Sequence, residues 1–283
     1  MNKIAFTKMV ASGNDFVVIE AGLQATRCKL QVLAKSICDR KYGVGADGLL
    51  ILEKSKVADI RMRIFNADGS EAQMCGNGAR CTALFINTRH KTPACPAGRQ
   101  DTRHKIETRA GIIDSCVNGD NVSIKLTDPE DIKLDIPIKI GNRYLKINFI
   151  DTGVPHAVIF VEGLDKIDVF NLGRQIRYHK TFSPKGTNVD FVEVLSDKFI
   201  KIRTYERGVE DETLSCGTGM VAAALITGSR LQATGYNNIK VHTQGRETLE
   251  VSFEKDSGNF ENVWLRGKVC IAFKGQFLLK RRI

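Results

Sequence analysis

The alternation of apolar and polar residues predicts that much of this chain forms β-strands. Several segments alternate with a period of two and are rich in β-branched residues, among them VSIKL, YLKINFI, AVIFVE and TLEVSF. Two other segments, GNGARCTALFINT and GTGMVAAALITGS, are apolar enough to be buried helices, and each begins with a glycine-rich turn. Such a turn leaves backbone N–H groups without intrahelical acceptors. The pattern therefore predicts an α/β (α+β) protein.

The chain also repeats one pattern at a nearly constant spacing. Three residues recur 140 or 141 positions later: Arg63, Asn66 and Cys75 correspond to Arg203, Glu206 and Cys216. Flanking segments keep this spacing, because GVGADGLLIL precedes GTNVDFVEVL by 143 residues and ASGNDFVVIE precedes DTGVPHAVIFVE by 140. A duplicated structural unit explains these matches at a nearly constant spacing. We therefore predict two homologous halves, 1–130 and 131–283.

Length and composition are those of a folded protein. The chain has 283 residues, of which 42% are hydrophobic and 26% charged, as in ordinary globular proteins. The N-terminus lacks an apolar signal region, and no apolar run reaches the roughly 18 residues of a membrane span. Eight cysteines without a Cys-x-x-Cys pair favour reduced thiols. We expect a cytoplasmic protein that does not bind membranes.

The net charge of +10 is compatible with an anionic metabolite or with nucleic acid. Basic residues are scattered, apart from the segment 88–105 and the C-terminal KRR, and no recognition-helix or RNP-like pattern accompanies them. We interpret the charge as a solvated surface and 88–105 as a basic surface loop. The expected partner is a small molecule, and no nucleic acid is expected.

Cys75 and Cys216 are the candidates for the chemistry. Each immediately precedes Gly-x-Gly at a predicted helix N-terminus, where the positive end of the helix dipole favours anions and lowers the pKa of a thiol. The same turns suit a substrate carboxylate, held by the backbone amides of Gly76, Asn77, Gly217 and Thr218. Inverting a stereocentre without a cofactor needs a base on one face and an acid on the other, and paired thiols can exchange these roles. The alternative for each cysteine is a small buried core residue.

Six segments together resemble the diaminopimelate epimerase family over nearly the whole chain: FTKMVASGNDFVVIE, RKYGVGADGLLIL, RIFNADGSEAQMCGNGARC, TGVPHAVIFVE, NVDFVEV and YERGVEDETLSCGTG. The cysteine motifs also recur, more loosely, in proline racemases and PhzF-like isomerases. The resemblance implies two pseudo-symmetric domains of mixed sheet, each wrapped around a central helix. It also implies an isomerase that interconverts LL- and meso-2,6-diaminoheptanedioate for lysine and peptidoglycan precursors. Such enzymes use no cofactor or metal and are usually homodimers.

The resemblance further implies roles for residues at matching positions. Cys75 and Cys216 are the acid/base pair, and His156 and Glu206 lie beside the thiols and tune them, Glu206 also contacting substrate. The distal amino and carboxylate groups are held by Asn14, Asn66, Asn188 and Arg207. Taken one at a time, these residues have simpler interpretations: a packed histidine, a surface ion pair between Glu206 and Arg207, and asparagines that cap turns.

Two positions depart from the family pattern. The chain has Gly48 where some members carry Gln, and Val154 where some carry Asn before Pro-His. Neither residue supplies a side-chain hydrogen bond, so those two substrate contacts are not carried over.

Other functions fit less well. GVGADG satisfies G-x-G-x-x-G, but a helix-like segment precedes it and a strand follows, the reverse of a dinucleotide site. Cys75 and Cys81 lie six apart and the five histidines lack ligand spacing, which argues against zinc. The remaining alternatives are a cofactor-independent racemase of another amino acid, and a basic nucleic-acid or partner-binding protein with structural cysteines.

Overall fold

The computed structural model describes residues 2–22, 29–89 and 101–279. The chain forms two compact units, Met1–Ile124 with Gly267–Ile283, and Lys125–Arg266. Among the described residues, no helix combines the length and the apolar character needed to cross a membrane.

The first unit contains two helices, α1 (Leu30–Cys38) and α2 (Gly76–Arg89). Its strands are β1 (Asn2–Ala11), β2 (Asn14–Glu20), β3 (Gly48–Glu53), β4 (Ile60–Asn66), β5 (Glu71–Ala72), β6 (Thr102–Thr108), β7 (Gly111–Asn118) and β8 (Asn121–Lys125). Strands β2 and β3 are parallel, as are β4 and β6, whereas the pairs β1–β2, β3–β4, β4–β5, β6–β7 and β7–β8 are antiparallel. The sheet is therefore mixed, as predicted.

The second unit contains α3 (Val169–Arg177), α4 (Gly217–Arg230) and two 3₁₀ turns, Leu164–Lys166 and Lys180–Phe182. Its strands are β9 (Glu130–Ile140), β10 (Arg143–Asp151), β11 (Pro155–Phe160), β12 (Asn188–Ser196), β13 (Phe199–Glu206), β14 (Asp211–Thr213), β15 (Gly235–His242), β16 (Thr248–Asp256) and β17 (Asn259–Leu279). The parallel pairs are β11–β12 and β13–β15, and the pairs β9–β10, β10–β11, β12–β13, β13–β14, β15–β16 and β16–β17 are antiparallel. Strands β10 to β17 thus repeat the pairing of β1 to β8, strand for strand. The extra pair β9–β10 corresponds to the pairing of β1 with the C-terminal part of β17. The repeated pairing agrees with the predicted duplication.

The division of the chain differs from the predicted halves, 1–130 and 131–283. The first unit ends at Ile124 and regains the segment that starts at Gly267. Strand β17 explains this, because it pairs with β16 from Asn259 to Arg266 and then with β1 from Val269 onward. The C-terminal segment therefore completes the sheet of the first unit.

One helix covers each face of each sheet. In the first unit Leu33 and Ile37 of α1 pack in one cluster with Leu49 and Ile51 of β3, whereas Leu50 faces α2. This follows from the alternation of side chains along a strand. In the second unit α3 packs on the face that carries Val189 and Phe191. Helices α2 and α4 are buried along most of their length, from Asn77 to Ile86 and from Gly219 to Gly228, as their apolar sequences predict.

The segment 88–105 is only partly a loop. Thr88 and Arg89 end α2, and 102–105 begin β6, so the predicted surface loop is wrong at both ends; 90–100 lie outside the described residues. Basic residues at 103 and 105 alternate with the buried His104, which is the pattern of a half-buried strand.

Candidate active site

Both candidate cysteines lie where the sequence places them, immediately before a buried helix. The carbonyl of Cys75 accepts a hydrogen bond from the amide of Ala79 at 2.9 Å, and that of Cys216 accepts one from Met220 at 3.0 Å. Each cysteine is therefore the N-cap of its helix. The first-turn amides have no acceptor within a helix, and they belong to Gly76 and Asn77 in α2 and to Gly217 and Thr218 in α4.

In the first unit the structure brings Asn14 and Asn77 together. The side-chain Nδ2 of Asn77 donates to Oδ1 of Asn14 at 2.6 Å, and Oδ1 of Asn77 accepts from the buried Arg80 at 2.6 Å. Asn14 in turn donates from Nδ2 to Oδ2 of Asp47 at 3.2 Å. These contacts fix the orientation of both amides.

Asn66 lies at the end of β4 and caps the following turn. Its Nδ2 donates to Oγ of Ser70 at 2.9 Å, and its backbone N–H donates to the carbonyl of Ser70 at 2.8 Å. The side chain is exposed. Turn capping was the simpler interpretation of this residue, and the structure assigns it at least that role.

Asn14 contacts a cluster of charged residues that sequence reasoning did not identify. Asp15 contacts Lys8 Nζ at 2.6 Å and Arg40 at 2.8 Å, and Arg40 also contacts Asp47 at 2.7 Å. Burial alone raises the pKa of Asp15, but hydrogen bonds from Arg40 and Lys8 outweigh it and hold that pKa well below its usual value. Through Arg40 the cluster holds Asp47 in place, and Asp47 in turn accepts the hydrogen bond from Asn14. The signal in the sequence was the alignment of Asp47 with Asp190 in the repeat.

In the second unit a continuous chain of contacts leads to the sulfur of Cys216. His156 is fully buried, and its Nδ1 lies 2.6 Å from Oδ2 of Asp190. Its Nε2 lies 3.0 Å from Oγ1 of Thr218, and that oxygen lies 3.5 Å from Sγ of Cys216. The Thr218 hydroxyl thus lies between His156 and the Cys216 thiol. Asp190 was not among the candidate residues.

Asn188 connects His156 to Arg207. Its Oδ1 accepts from the backbone N–H of Arg207 at 2.8 Å, whereas its Nδ2 donates to the carbonyl of Pro155 at 3.2 Å and faces His156 Nε2 at 3.4 Å. The guanidinium of Arg207 donates to the carbonyl of Lys185 at 3.4 Å. In the part of the chain that the structure describes, Glu206 and Arg207 do not form an ion pair, so the structure does not favour the surface-pair interpretation.

The pKa of the Cys216 thiol differs from the sequence expectation. Burial raises this pKa, and the negative charges of Glu206 and Asp190 raise it further, against smaller opposing contributions from Thr218 and the Gly219 amide. Burial also raises the pKa of Glu206. The helix terminus does not by itself make this thiol acidic, because desolvation of the thiolate is the larger effect. Burial therefore favours the neutral thiol form of Cys216 over the thiolate.

An arginine–glutamate pair joins the two strands that precede each cysteine in the chain, and sequence reasoning missed the acidic partners. Arg63 contacts Glu71 at 2.8 and 3.0 Å, and Arg203 contacts Glu212 at 2.7 Å through both oxygens. The pairs occupy equivalent positions, since Glu71 and Glu212 are 141 residues apart, as are the two cysteines. Each joins the strand before the cysteine to the short strand that leads into it. The repeat spacing itself was the signal for them.

Gly48 is a departure for which the structure gives a reason. A Cβ at this position would lie 3.0 Å from the carbonyl oxygen of Phe65 and 3.3 Å from the Phe16 ring. Glycine is therefore the residue that fits this point of β3 in this chain. Val154 lies in the turn before β11, where its carbonyl accepts from the amide of Thr152 at 3.1 Å.

Comparisons with known proteins agree with this arrangement. The family model described as diaminopimelate epimerase matches residues 6–131 and 148–270. The diaminopimelate epimerase of Aquifex aeolicus is 39% identical over 96% of this chain and 96% of its own length. That of Archaeoglobus fulgidus is 42% identical over 90% of this chain and 91% of its own.

Solved structures with low sequence identity share the fold. A PhzF-family phenazine biosynthesis protein from Bacillus anthracis superposes with a TM-score of 0.73 at 19% identity, over 99% of this chain and 100% of that one. A probable proline racemase from Agrobacterium radiobacter K84 gives 0.70 at 16% identity, over 99% and 94%. At these identities the likeness shows a common fold.

Proposed function

Because this chain belongs to the diaminopimelate epimerase family, and is therefore an isomerase, we propose that Cys75 and Cys216 perform its proton transfers directly. The reaction interconverts the LL and meso forms of 2,6-diaminoheptanedioate, a step in lysine and peptidoglycan precursor synthesis. In this scheme one sulfur, as thiolate, removes the α-proton from one face of the carbon. The other, as thiol, delivers a proton to the opposite face.

The amides of the helix starts support the intermediate. Loss of the α-proton places negative charge on the substrate carboxylate, which gains enolate character. First-turn amides of Gly76, Asn77, Gly217 and Thr218, together with two helix dipoles, can hold that charge without reorganisation. Electrostatic stabilisation of this kind replaces delocalisation into a cofactor, and the scheme needs none.

The distal end of the substrate carries a second carboxylate and a second ammonium group. We assign the carboxylate to Arg207, whose planar guanidinium matches a carboxylate in two hydrogen bonds. Asn14, Asn66 and Asn188 supply amide oxygens and N–H groups for the remaining polar atoms. The backbone of Arg207 is held by Asn188 at 2.8 Å, which supports a fixed clamp.

One observation carries the proposal: the same Cys-Gly-x-Gly helix start occurs once in each of two units whose strands pair identically. A two-base reaction needs two equivalent proton carriers, and a duplicated unit supplies them. His156 and Glu206, which occur in the second unit only, then tune carriers that are otherwise alike.

The test is a direct assay with LL-diaminopimelate in deuterated water. Unmodified protein is expected to form the meso isomer and to place deuterium at one α-carbon. Cys75→Ala and Cys216→Ala are each expected to lower kcat by more than about 10³-fold, within the range of general acid–base catalysis. Cys270→Ala is the matched control, because Cys270 is an exposed free thiol on β17.

Full turnover by either Cys75→Ala or Cys216→Ala, with the control also active, contradicts the two-base scheme. A panel of other amino acids in the same assay separates the proposed substrate from that of a related racemase. Turnover of another amino acid without turnover of diaminopimelate would contradict the proposed substrate but not the proposed reaction type.

Two further properties belong to the proposal. We infer a cytoplasmic location, because the eight cysteines include no Cys-x-x-Cys pair and no regular framework spacing, which suits reduced thiols. We also infer a homodimer, on the family resemblance alone. Light scattering coupled to gel filtration measures the second directly, and a mass of 31.4 kDa contradicts it.

A further inference from the structure

Asp190 and His156 form a fully buried acid–imidazole pair in the second unit. Both side chains have no exposed surface, and Oδ2 of Asp190 lies 2.6 Å from Nδ1 of His156. The other carboxylate oxygen accepts the hydroxyl proton of Thr204 at 2.7 Å. Strand register produces the pair, because His156 of β11 lies opposite Asn188 of β12, and Asp190 follows two positions later on the same face. Helix α4 covers this face, with Gly219 against Asp190.

A second neighbour fixes which imidazole nitrogen carries the proton. Asn188 accepts the backbone N–H of Arg207 with Oδ1, so its Nδ2 is the end that faces His156 Nε2. An amide nitrogen can only donate, and Nε2 must therefore present its lone pair. The proton then resides on Nδ1, where the Asp190 carboxylate accepts it. Two independent contacts require the same tautomer.

Thr218 joins this imidazole to the catalytic sulfur. Its hydroxyl oxygen lies 3.0 Å from Nε2 of His156 and 3.5 Å from Sγ of Cys216. With Nε2 as acceptor, the Thr218 hydroxyl donates to the imidazole and leaves its oxygen lone pairs for the thiol proton. The hydroxyl is thus placed to pass a proton between sulfur and nitrogen.

We propose that Asp190 is a positioning residue for proton transfer at Cys216, acting through a relay of His156 and the Thr218 hydroxyl. The inference rests on the proposed function. In the forward step the S–H bond of Cys216 breaks and a new O–H bond forms at Thr218. The original Thr218 O–H bond breaks and an N–H bond forms at Nε2. A neutral thiol and a neutral imidazole become a thiolate and an imidazolium, and the reverse step restores both.

Charge explains why the relay needs Asp190. Burial opposes ionisation of Cys216, and the carboxylates of Glu206 and Asp190 oppose it too, so the thiolate forms only if its proton is taken up nearby. An imidazolium at His156 lies between the thiolate and the Asp190 carboxylate, and neutralises part of both charges. The charge of Glu206, which is half-buried, also acts on this histidine and on the sulfur. Without Asp190 the imidazolium loses its buried partner.

The tautomer can be tested in unmodified protein without substrate. In protein labelled with ¹⁵N-histidine, long-range ¹H–¹⁵N spectra distinguish protonated from unprotonated ring nitrogens. His156 is expected to show a proton on Nδ1 and none on Nε2 at neutral pH, with the resonance assigned from its loss in His156→Gln. A proton on Nε2, with or without one on Nδ1, would overturn the proposal.

The relay is tested by four variants. Asp190→Asn removes the charge, and Thr218→Val removes the hydroxyl but keeps the backbone amide. Each is expected to lower kcat about 10²-fold, the low end for acid–base catalysis, with KM changed less than about threefold. Thr218→Ser keeps the hydroxyl and is expected to retain most of kcat. Asp168→Asn is the matched control in the same unit, since asparagine also caps α3 there.

Coupling separates a relay from a merely structural effect. The double variant Asp190→Asn/Thr218→Val is expected to be no slower than the worse single variant, because one broken link already interrupts the relay. Multiplication of the two losses, equal activity of Thr218→Val and Thr218→Ser, or full kcat in folded Asp190→Asn would each overturn the inference. If Asp190→Asn does not fold, the proposal is tested by the His156 spectrum and by the comparison of Thr218→Val with Thr218→Ser. Absence of activity in unmodified protein would refute the proposed function and leave the tautomer result to stand separately.

Discussion

Single positions on α4 are constrained by what lies opposite them. A Cβ at Gly219 would lie 2.5 Å from Oδ1 of Asp190, closer than real Cβ contacts permit, and 3.3 Å from Oγ1 of Thr204. The carboxylate is fully buried and bonded to His156 and Thr204, so it cannot move away. Glycine is therefore required at this point of the helix for a packing reason. Gly217, two residues earlier, is free of this constraint, because a Cβ there would lie 3.7 Å from Leu265.

This contrast makes a prediction for the pair Gly219→Ala and Gly217→Ala. Gly219→Ala is expected to lower the free energy of unfolding by about 1–3 kcal/mol, as overpacking does. Gly217→Ala is expected to leave it unchanged or to raise it by up to about 1 kcal/mol, since alanine is the better helix former. Urea unfolding of both variants measures the difference. Equal stabilities would mean that Asp190 is not held as tightly as described.

At the scale of elements, the two Arg–Glu pairs brace the strand connections that end in the cysteines. Arg63 and Glu71 join β4 to β5, and Arg203 and Glu212 join β13 to β14. Arg203 also donates to the carbonyls of Leu164 and Ile167 at 3.1 and 3.0 Å, which ties in the 3₁₀ turn before α3. All four charged side chains are at most 25% exposed, so solvent screens these pairs less than surface pairs. They stabilise the position from which each helix starts.

Replacing either arginine by methionine is expected to destabilise the folded protein. Arg63→Met and Arg203→Met are each expected to lower the free energy of unfolding by about 2 kcal/mol, because charge-assisted hydrogen bonds are lost and a half-buried glutamate is left behind. The larger effect is expected for Arg203, which holds two additional carbonyls. Arg61→Met is the control on the same strand as Arg63. Arg61 is 43% exposed with contacts of 3.7 and 3.8 Å, and its loss is expected to cost under about 1 kcal/mol.

Thermal and urea unfolding of the three variants provide the measurement. If Arg61→Met lowered the free energy of unfolding as much as Arg63→Met, the bidentate contact would contribute no additional stability. A cost below about 0.5 kcal/mol for both half-buried arginines would show that the connections are held by backbone pairing alone.

At the scale of the whole molecule, the two units share their strand pairing but differ in their ion pairs and in the pKa shifts of their carboxyl groups. In the first unit Asp47 contacts Arg40 and Asn14, whereas its repeat equivalent Asp190 contacts the buried His156 in the second. The pKa of Asp15 is held low in one unit, and burial raises the pKa of Glu206 in the other. Duplication preserved the backbone, and substitution changed the charges that it carries.

Asp15 and Glu206 are therefore expected to contribute to the pH dependence of unfolding with opposite signs. A carboxyl whose pKa is lowered by folding stabilises the folded state above its usual value of 3.8, and that contribution is lost as pH falls further. A carboxyl whose pKa is raised by folding has the opposite sign: the free energy of unfolding falls as pH rises from its usual 4.5 through the raised value.

Unfolding at several pH values tests this with Asp15→Asn and Glu206→Gln. The stability gap between unmodified protein and Asp15→Asn is expected to be full at pH 6 and to shrink as pH falls below about 4. Glu206→Gln is expected to gain stability relative to unmodified protein as pH rises from about 4.5. A pH-independent gap in either case would contradict the corresponding pKa direction.

The sequence by itself determined the features that depend on local pattern. Period-two alternation identified strands such as β8, β10, β11 and β16, and apolar composition after a glycine turn identified α2 and α4. The repeat spacing established that the chain is duplicated and placed Cys75 and Cys216 at equivalent helix starts. These features are readable because side-chain alternation and helix initiation involve residues close together in the chain.

Only the tertiary structure decided which distant residues meet and how deeply they are buried. Asp190 reaches His156 across 34 positions, and His156 reaches Thr218 across 62, through strand register that no local pattern encodes. Strand β17 returned the C-terminal segment to the first unit for the same reason. The direction of the Cys216 pKa likewise followed from burial, because desolvation depends on everything packed around the sulfur and outweighs the dipole of its own helix.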